Sequence, residues 1–226
     1  MKTTAVILGG GQGKRLLGEV PKQFLPFGTR SLIAHTVGAF QQAPAIDAIV
    51  VVVPAGWEKR CTALLEPRDP TKVQGVIAGG ETRQLSCWQA LQYLATDPPH
   101  IVVVHDAARP LVTGEMIEQA VQGGETGMTF GLRAVDTLVE CLEGEIRRVL
   151  PREHLHLVQT PQSFPFRMLY DAHHRALEEG IRAAGDDAGL VLRAGHRVRV
   201  FEGDPRNLKV TGPVDLALAR CLLQGR

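Results

Sequence analysis

Short β-branched runs alternate with longer amphipathic segments along most of the chain, and that alternation sets the first expectation. Thr4–Leu8, Ile46–Val53, Val73–Ala78, Ile101–His105 and Met128–Leu132 are strand-sized and apolar almost throughout. Between them, Ser31–Gln42, Trp57–Glu66, Arg83–Ala95 and Gly114–Gln122 have the length and polarity of helices. Strands without a polar face, separated by helices, predict a mostly parallel, twisted sheet covered on both faces, a Rossmann-like α/β fold.

After Leu132 the rhythm breaks. Asp136–Leu142 and Glu145–Leu150 are strand-like runs around a Glu143-Gly144 turn, which predicts a hairpin arm inserted at about 136–157. The pattern alone leaves open whether such an arm dimerises the protein or folds onto its own domain. Helices over Pro165–Glu179 and Asp186–Ala194, a strand over Val198–Glu202 and a helix over Pro213–Leu223 complete the reading. Pro213 falls in the first turn of that last helix, where a missing N–H costs little.

With 226 residues, 44% of them hydrophobic, the chain is long enough for one sizeable core, and one domain over 1–226 is expected. Lys and Arg total 25 against 24 Asp and Glu, so no bulk field would draw nucleic acid or an anionic membrane. Any anion must be met by a local cluster. The apolar runs are far shorter than the ~20 residues of a membrane span, and the N-terminus lacks a secretory pattern, so a cytoplasmic protein without a membrane partner is expected. Cys61, Cys87, Cys141 and Cys221 are scattered and read as small buried hydrophobes. His154, His156, His173 and His174 have no Cys or Glu at ligand spacing and read as packing or solvated histidines.

The local cluster is the loop "LGGGQGKRLL" at the end of the first strand. A P-loop would need Gly at Leu8 and a hydroxyl at Arg15; a dinucleotide fingerprint would need Gly at Leu16 or Lys14. Neither pattern is met. Glycines at a strand's C-terminal end still let backbone N–H groups approach an anion, and Lys14, Arg15 and Lys22 add charge within a short span.

"GGGQGKRL" and "PKQFLPFG" resemble the signature loop of nucleotidyltransferases with a GT-A-like fold. "GGETRQLS", "VHDAARP", "DT" (Asp136-Thr137), "QTPQSF" and "NLKVTGPVDL" follow in the order found in the 2-C-methyl-D-erythritol 4-phosphate cytidylyltransferase family, from Thr4 to about Ala219. The resemblance implies attack by the phosphate of methylerythritol phosphate on the α-phosphorus of CTP, releasing pyrophosphate.

By that resemblance Arg15, Lys22 and Lys209 are catalytic cations against the CTP phosphates. Gly9, Gly10, Gly11, Gly13, Gly80, Glu81, Ser86 and Asp106 bind the nucleotide. Asp106 also stands near the second substrate and Mg²⁺, with other divalent cations as alternatives. Thr137 and Arg152 grip the alditol phosphate, with Arg152 donated across a homodimer formed through the arm. Val139, His156 and Gly185 depart from the family pattern, which carries Lys, Trp and a Thr-Asp-rich stretch there; at Glu81 many relatives have Asp. A ribitol 5-phosphate cytidylyltransferase is the nearest rival, against which Ala108 and Thr137 argue. A non-catalytic nucleotide-binding module is opposed by the presence of Arg15, Lys22, Asp106 and Lys209 together.

Overall fold

The structure, a computed structural model, describes residues 1–10, 20–66 and 71–225. Among them the chain runs through β1 (Thr3–Leu8), β2 (Pro26–Phe27), β3 (Arg30–Ser31), α1 (Leu32–Gln42), β4 (Ala48–Val53), α2 (Glu58–Leu65), β5 (Val73–Ala78), α3 (Arg83–Leu94) and β6 (Ile101–Asp106). It continues through α4 (Gly114–Gly123), β7 (Met128–Arg133), β8 (Leu138–Leu142), β9 (Glu145–Leu150), β10 (His156–Pro165), α5 (Phe166–Glu178), α6 (Asp187–Arg193), β11 (Arg199–Glu202) and α7 (Pro213–Gln224).

Seven strands form one sheet in the order β11-β7-β10-β6-β1-β4-β5. β10 is antiparallel to both its neighbours, while the other pairings are parallel. β1, β4 and β6 are buried over their whole length, as strands covered on both faces must be. Alternate residues divide between two layers. Ala5, Ile7, Ile49, Val51 and Val103 pack on one side with Ile33, Val37, Phe40, Cys61 and Ile117 from α1, α2 and α4. Val6, Leu8, Val50, Val52 and Val104 pack on the other with Leu91, Leu169, Ala172 and Val191 from α3, α5 and α6. The period of two in the strands is thus what places helices on both faces.

Two elements go beyond the sequence expectation. The short β2–β3 ribbon leads into α1. The hydrophobic pattern marks no strand between the arm and Pro165, yet β10 is long and lies inside the sheet. Its Gln159, Thr160, Gln162 and Ser163 are buried polar residues, so no apolar run marks it, and Pro161 falls where the pairing to β7 shifts register.

The hairpin β8–β9 is a separate two-stranded sheet, and its turn has Glu143 and Gly144 at φ 52° and 84°, both left-handed, as a tight two-residue hairpin turn requires. His156 and Leu157 already pair with Arg133 and Leu132 of β7. Among the described residues no helix is long and apolar enough to cross a membrane. Cys141 and Cys221 are exposed, contrary to the expectation of burial, because the first lies on the open hairpin and the second on the outer side of α7; Cys61 and Cys87 are buried.

Candidate functional site

The direction of strand progression reverses around β1, with β4 on one side and β6 on the other. The C-terminal ends of strands at such a reversal are where open α/β sheets hold ligands. A cavity of about 150 Å³ lies there. Leu8, Gly9 and Gly10 close β1 onto it, Asp106, Ala107 and Ala108 close β6, Glu81, Thr82, Arg83 and Ser86 come from the start of α3, and Lys22, Gln23 and Lys209 complete the wall.

Gly10 and Gly79 allow the ends of β1 and β5 to touch around Ser86: a Cβ on Gly10 would meet Ser86 Oγ at 2.5 Å, and one on Gly79 would meet it at 2.7 Å. Gly80 would meet Leu85 Cβ at 2.5 Å. Ser86 is itself buried, with its hydroxyl donating to Thr82 O at 2.9 Å, so toward a ligand it can offer only lone pairs. Thr82 caps α3 through Leu85 N at 3.1 Å, which sets the first turn of that helix in the cavity wall.

Asp106 is the electrostatic centre. Its Oδ2 takes Lys209 Nζ at 2.8 Å, its Oδ1 takes Arg83 Nε at 3.2 Å, and Arg109 Nε lies 3.7 Å away. Burial would raise the carboxyl's pKa, but Arg83, Lys209 and Arg109 together hold it well below the ordinary carboxylate range. It is a permanent anion inside a cationic ring. Lys22 Nζ donates to Val210 O at 2.8 Å, next in the chain to Lys209, and Val210 N donates to Ala108 O at 2.8 Å. Two lysines from opposite ends of the sequence therefore meet on one short segment laid against the end of β6.

That segment is fastened by buried polar groups. Arg109 Nη1 donates to Asn207 O at 2.7 Å, Asn207 Nδ2 to Thr160 O at 2.8 Å, and Gln159 Nε2 to Asp204 O at 3.0 Å. Behind Asp106, His105 Nε2 faces Arg109 O at 3.1 Å. A carbonyl only accepts, so the proton is on Nε2, and Nδ1 accepts from the Thr160 hydroxyl at 3.0 Å. Thr160 Oγ1 in turn accepts Asp106 N–H at 3.1 Å. Burial lowers the His105 pKa to about 4, so the ring is neutral near pH 7.

Of the residues marked by sequence, Gly9, Gly10, Lys22, Glu81, Ser86, Asp106 and Lys209 line this one cavity, with Gly80 beside it. Gly11, Gly13, Lys14 and Arg15 lie outside the described residues. Thr137 and Arg152 are exposed and share a different pocket, between the residue before β8, the end of β9 and the turn that follows. Arg152 Nη1 donates there to Val135 O at 2.7 Å.

Arg83 and Arg109 lie inside the sequence motifs but carry no role in the sequence reading; their places just before "QLS" and just after "DAA" are the available signal. Sequence spacing gives His173 no ligand partner, yet it is fully buried with Nε2 at 2.9 Å from Asp187 Oδ1, and Cys87, His173 and Asp187 have ligand atoms within 4.8 Å of one another. Residues far apart in sequence supply that cluster, which spacing cannot reveal. Its carboxylate is already engaged by Arg83 and His173, and burial, together with Asp187, pushes the Cys87 thiol well above its ordinary range, so it is an ion-paired cluster and a poor metal cage. A larger cleft of about 460 Å³ between α1, the start of α4 and Leu223 contains none of these groups.

The family described as "IspD: 2-C-methyl-D-erythritol 4-phosphate cytidylyltransferase" matches residues 3–225. The enzyme of that name from Geotalea uraniireducens is 36% identical over 228 residues, covering 99% of this chain and 97% of its own. The Thermotoga neapolitana enzyme is 39% identical, covering 96% and 95%. The crystal structure of 2-C-methyl-D-erythritol 4-phosphate cytidylyltransferase from Thermus thermophilus superposes with a TM-score of 0.76 at 33% identity, over 98% of each chain. Matched by the family over residues 3–225 and 36–39% identical to full-length relatives, the chain belongs to the 2-C-methyl-D-erythritol 4-phosphate cytidylyltransferase family.

Proposed function

We propose that this cavity holds the triphosphate of CTP, and that Lys22 and Lys209, with Arg15, neutralise it while methylerythritol phosphate attacks. An oxygen of the acceptor phosphate forms a bond to the α-phosphorus, the bond from that phosphorus to the bridging oxygen breaks, and its electron pair leaves with pyrophosphate. No protein nucleophile and no proton transfer are needed, so what catalysis requires is position and positive charge. The observation that carries the reading is the meeting of Lys22 and Lys209 at one chain segment beside the buried anion Asp106. Lys209 is bonded to Asp106 in the free chain and would exchange that carboxylate for phosphate. Ser86, Gly80 and Glu81, at the opposite wall, would take the cytidine.

Asp106 is the only carboxylate other than Glu81 on the described cavity wall. Its Oδ2 is held by Lys209 in the free chain, and once that ammonium has moved to the phosphates a single carboxylate oxygen fits Mg²⁺, which is bound mostly through substrate phosphates and water. Asp106 would hold that ion, which when bound shields the triphosphate charge; Mn²⁺ or another divalent cation fits the same donor.

The arm gives the second half of the site. Thr137 and Arg152 lie in a pocket of their own, and the hairpin carries Ile146 and Val149 more than 60% exposed. An isolated two-stranded hairpin is marginal in water, which supports a homodimer in which each arm delivers Thr137 and Arg152 to its partner's cavity. The reaction is tested by pyrophosphate release from CTP with Mg²⁺ and methylerythritol phosphate, run beside ATP, GTP, UTP and ribitol 5-phosphate. Release confined to CTP with methylerythritol phosphate is expected. Release with ribitol 5-phosphate alone would overturn the acceptor, and silence throughout would overturn the transfer.

A further inference from the structure

Behind the cavity wall a second carboxylate stands where the transfer chemistry makes no use of it. Asp187, in the first turn of α6, has a side chain 1% exposed. Its Oδ2 takes Arg83 Nη1 at 2.7 Å, and its Oδ1 takes His173 Nε2 at 2.9 Å. Its backbone N–H is fixed by Gln162 Oε1 at 3.1 Å, and Gln162 is locked by Nε2 bonds of 2.9 Å to both Thr129 and Asp186. Arg83 is thus clamped between two buried acids, Asp106 through Nε and Asp187 through Nη1. A planar guanidinium held at two edges cannot turn without breaking both contacts, whereas a lysine ammonium is a point charge on a flexible stem with no fixed fork to hold both acids in one orientation.

We propose that Asp187, backed by His173, is a positioning residue for the transfer: it fixes Arg83 so that Arg83 stays on Asp106 when Lys209 leaves Asp106 for a phosphate. The inference rests on the reading of the cavity given above. Its physical need is plain. As Lys209 departs, Asp106 loses one of its two close cations, and a buried carboxylate without compensation would swing toward Arg109 or follow the lysine. A clamped Arg83 keeps Asp106 oriented by the bond to its Oδ1, leaving Oδ2 open to whatever replaces the ammonium. Without Asp187, Arg83 is free to follow the incoming phosphate and Asp106 loses its fixed geometry.

Two measurements test this. In the first, turnover is compared at saturating substrates, well below the melting temperature, for wild type, Asp187→Asn, Arg83→Lys and the double variant. Each single change is expected to slow turnover about tenfold, and the double variant to be no slower than Arg83→Lys alone, because Asp187 acts only through Arg83. Losses that multiply in the double variant, or full activity in Arg83→Lys, overturn the proposal. Should Asp187→Asn fail to fold, His173→Leu takes its place, with a threefold loss expected that vanishes in the Arg83→Lys background.

The second measurement needs no activity. In a ¹⁵N NMR spectrum the Arg83 Nε–H, identified by its disappearance in Arg83→Lys, is expected to exchange slowly in wild type and to be lost to fast exchange in Asp187→Asn or His173→Leu. An unchanged, protected signal in those variants overturns the clamp. A wild type that releases no pyrophosphate would overturn the transfer reaction instead, and the NMR result would still decide the positioning role.

Discussion

The end of β6 and the β8–β9 hairpin meet water in opposite ways. At the first, Asp106 and the residues behind it are buried, and most polar atoms are bonded to a residue distant in sequence. At the second, every residue of β9 up to Val149 is exposed, and Val139 pairs with Val149 and Cys141 with Ile146 in an apolar stripe that none of the described residues buries. The difference separates two jobs. Holding two polyanions against each other requires cations whose places are set before the substrate arrives, since any ordering done on binding is subtracted from catalysis. The arm has its strand pairing within the chain and its burial, on the reading above, from a second copy.

The strongest break of that contrast is Lys209→Ala. Its ammonium is partly exposed while its partner Asp106 stays paired with Arg83, so folding should change little. Turnover should fall about a hundredfold or more, on the order of the ~3 kcal/mol lost with one preorganised electrostatic contact. Pyrophosphate release and the melting temperature, measured on the same preparation, check it: equal losses in both would make Lys209 structural.

Next comes the arm. Ile146→Glu puts a charge on its exposed stripe and should raise the dimer dissociation constant about a hundredfold, the ~2.7 kcal/mol of one buried apolar side chain. Sedimentation should show monomers at concentrations where the wild type is dimeric, with a melting temperature that no longer rises with protein concentration. A dimer of undiminished affinity would show that the arm is not its seam.

How much of this can be read in advance differs between the same two regions. β1, β4, β5, β6 and β7 are apolar runs, and their parallel order follows from the intervening helices. The Glu143-Gly144 pair marks the hairpin because both residues must accept positive φ. β10 is hidden because a strand that carries Gln159, Thr160, Gln162 and Ser163 into the core follows no hydrophobic period, and Pro161 speaks against a strand. Lys22, Asp106 and Lys209 are legible as short motifs. The clamp on Arg83 is not, since its acid stands 104 positions away and only the fold of α6 onto α3 and α5 brings them together.

A smaller effect tests the buried side alone. His105 is neutral in the fold, with a pKa of about 4 against roughly 6.5 unfolded. Between those values the unfolded chain binds the extra proton, so stability is complete above about pH 6.5 and declines as the pH falls toward 4, by at most about 1.4 kcal/mol per unit. Asp187, whose pKa is lowered in the fold by Arg83 and His173 against the opposing effect of burial, extends the decline below the ordinary carboxylate range. Urea midpoints from pH 8 to 4.5 check the slope, and His105→Asn should flatten its upper part. A wild-type midpoint that does not move across that range would mean the His105 ring is not held neutral.

The smallest expected effect sets two arginine-carboxylate pairs side by side. Arg148 meets Glu140 across the hairpin with side chains 69% and 52% exposed, whereas Arg83 meets Asp187 at 20% and 1%. The chemistry of the two pairs is the same. In water the first gains little Coulomb energy, is screened by salt and restrains two long side chains, so Arg148→Ala should cost less than about 0.5 kcal/mol and less still in high salt. Removing Arg83 leaves two carboxylates buried and under-compensated, for which several kcal/mol are typical. Paired thermal melts at low and high salt measure both. An Arg148→Ala loss approaching that of the buried pair would mean the hairpin is covered in solution, and its size would then report on the dimer that covers it.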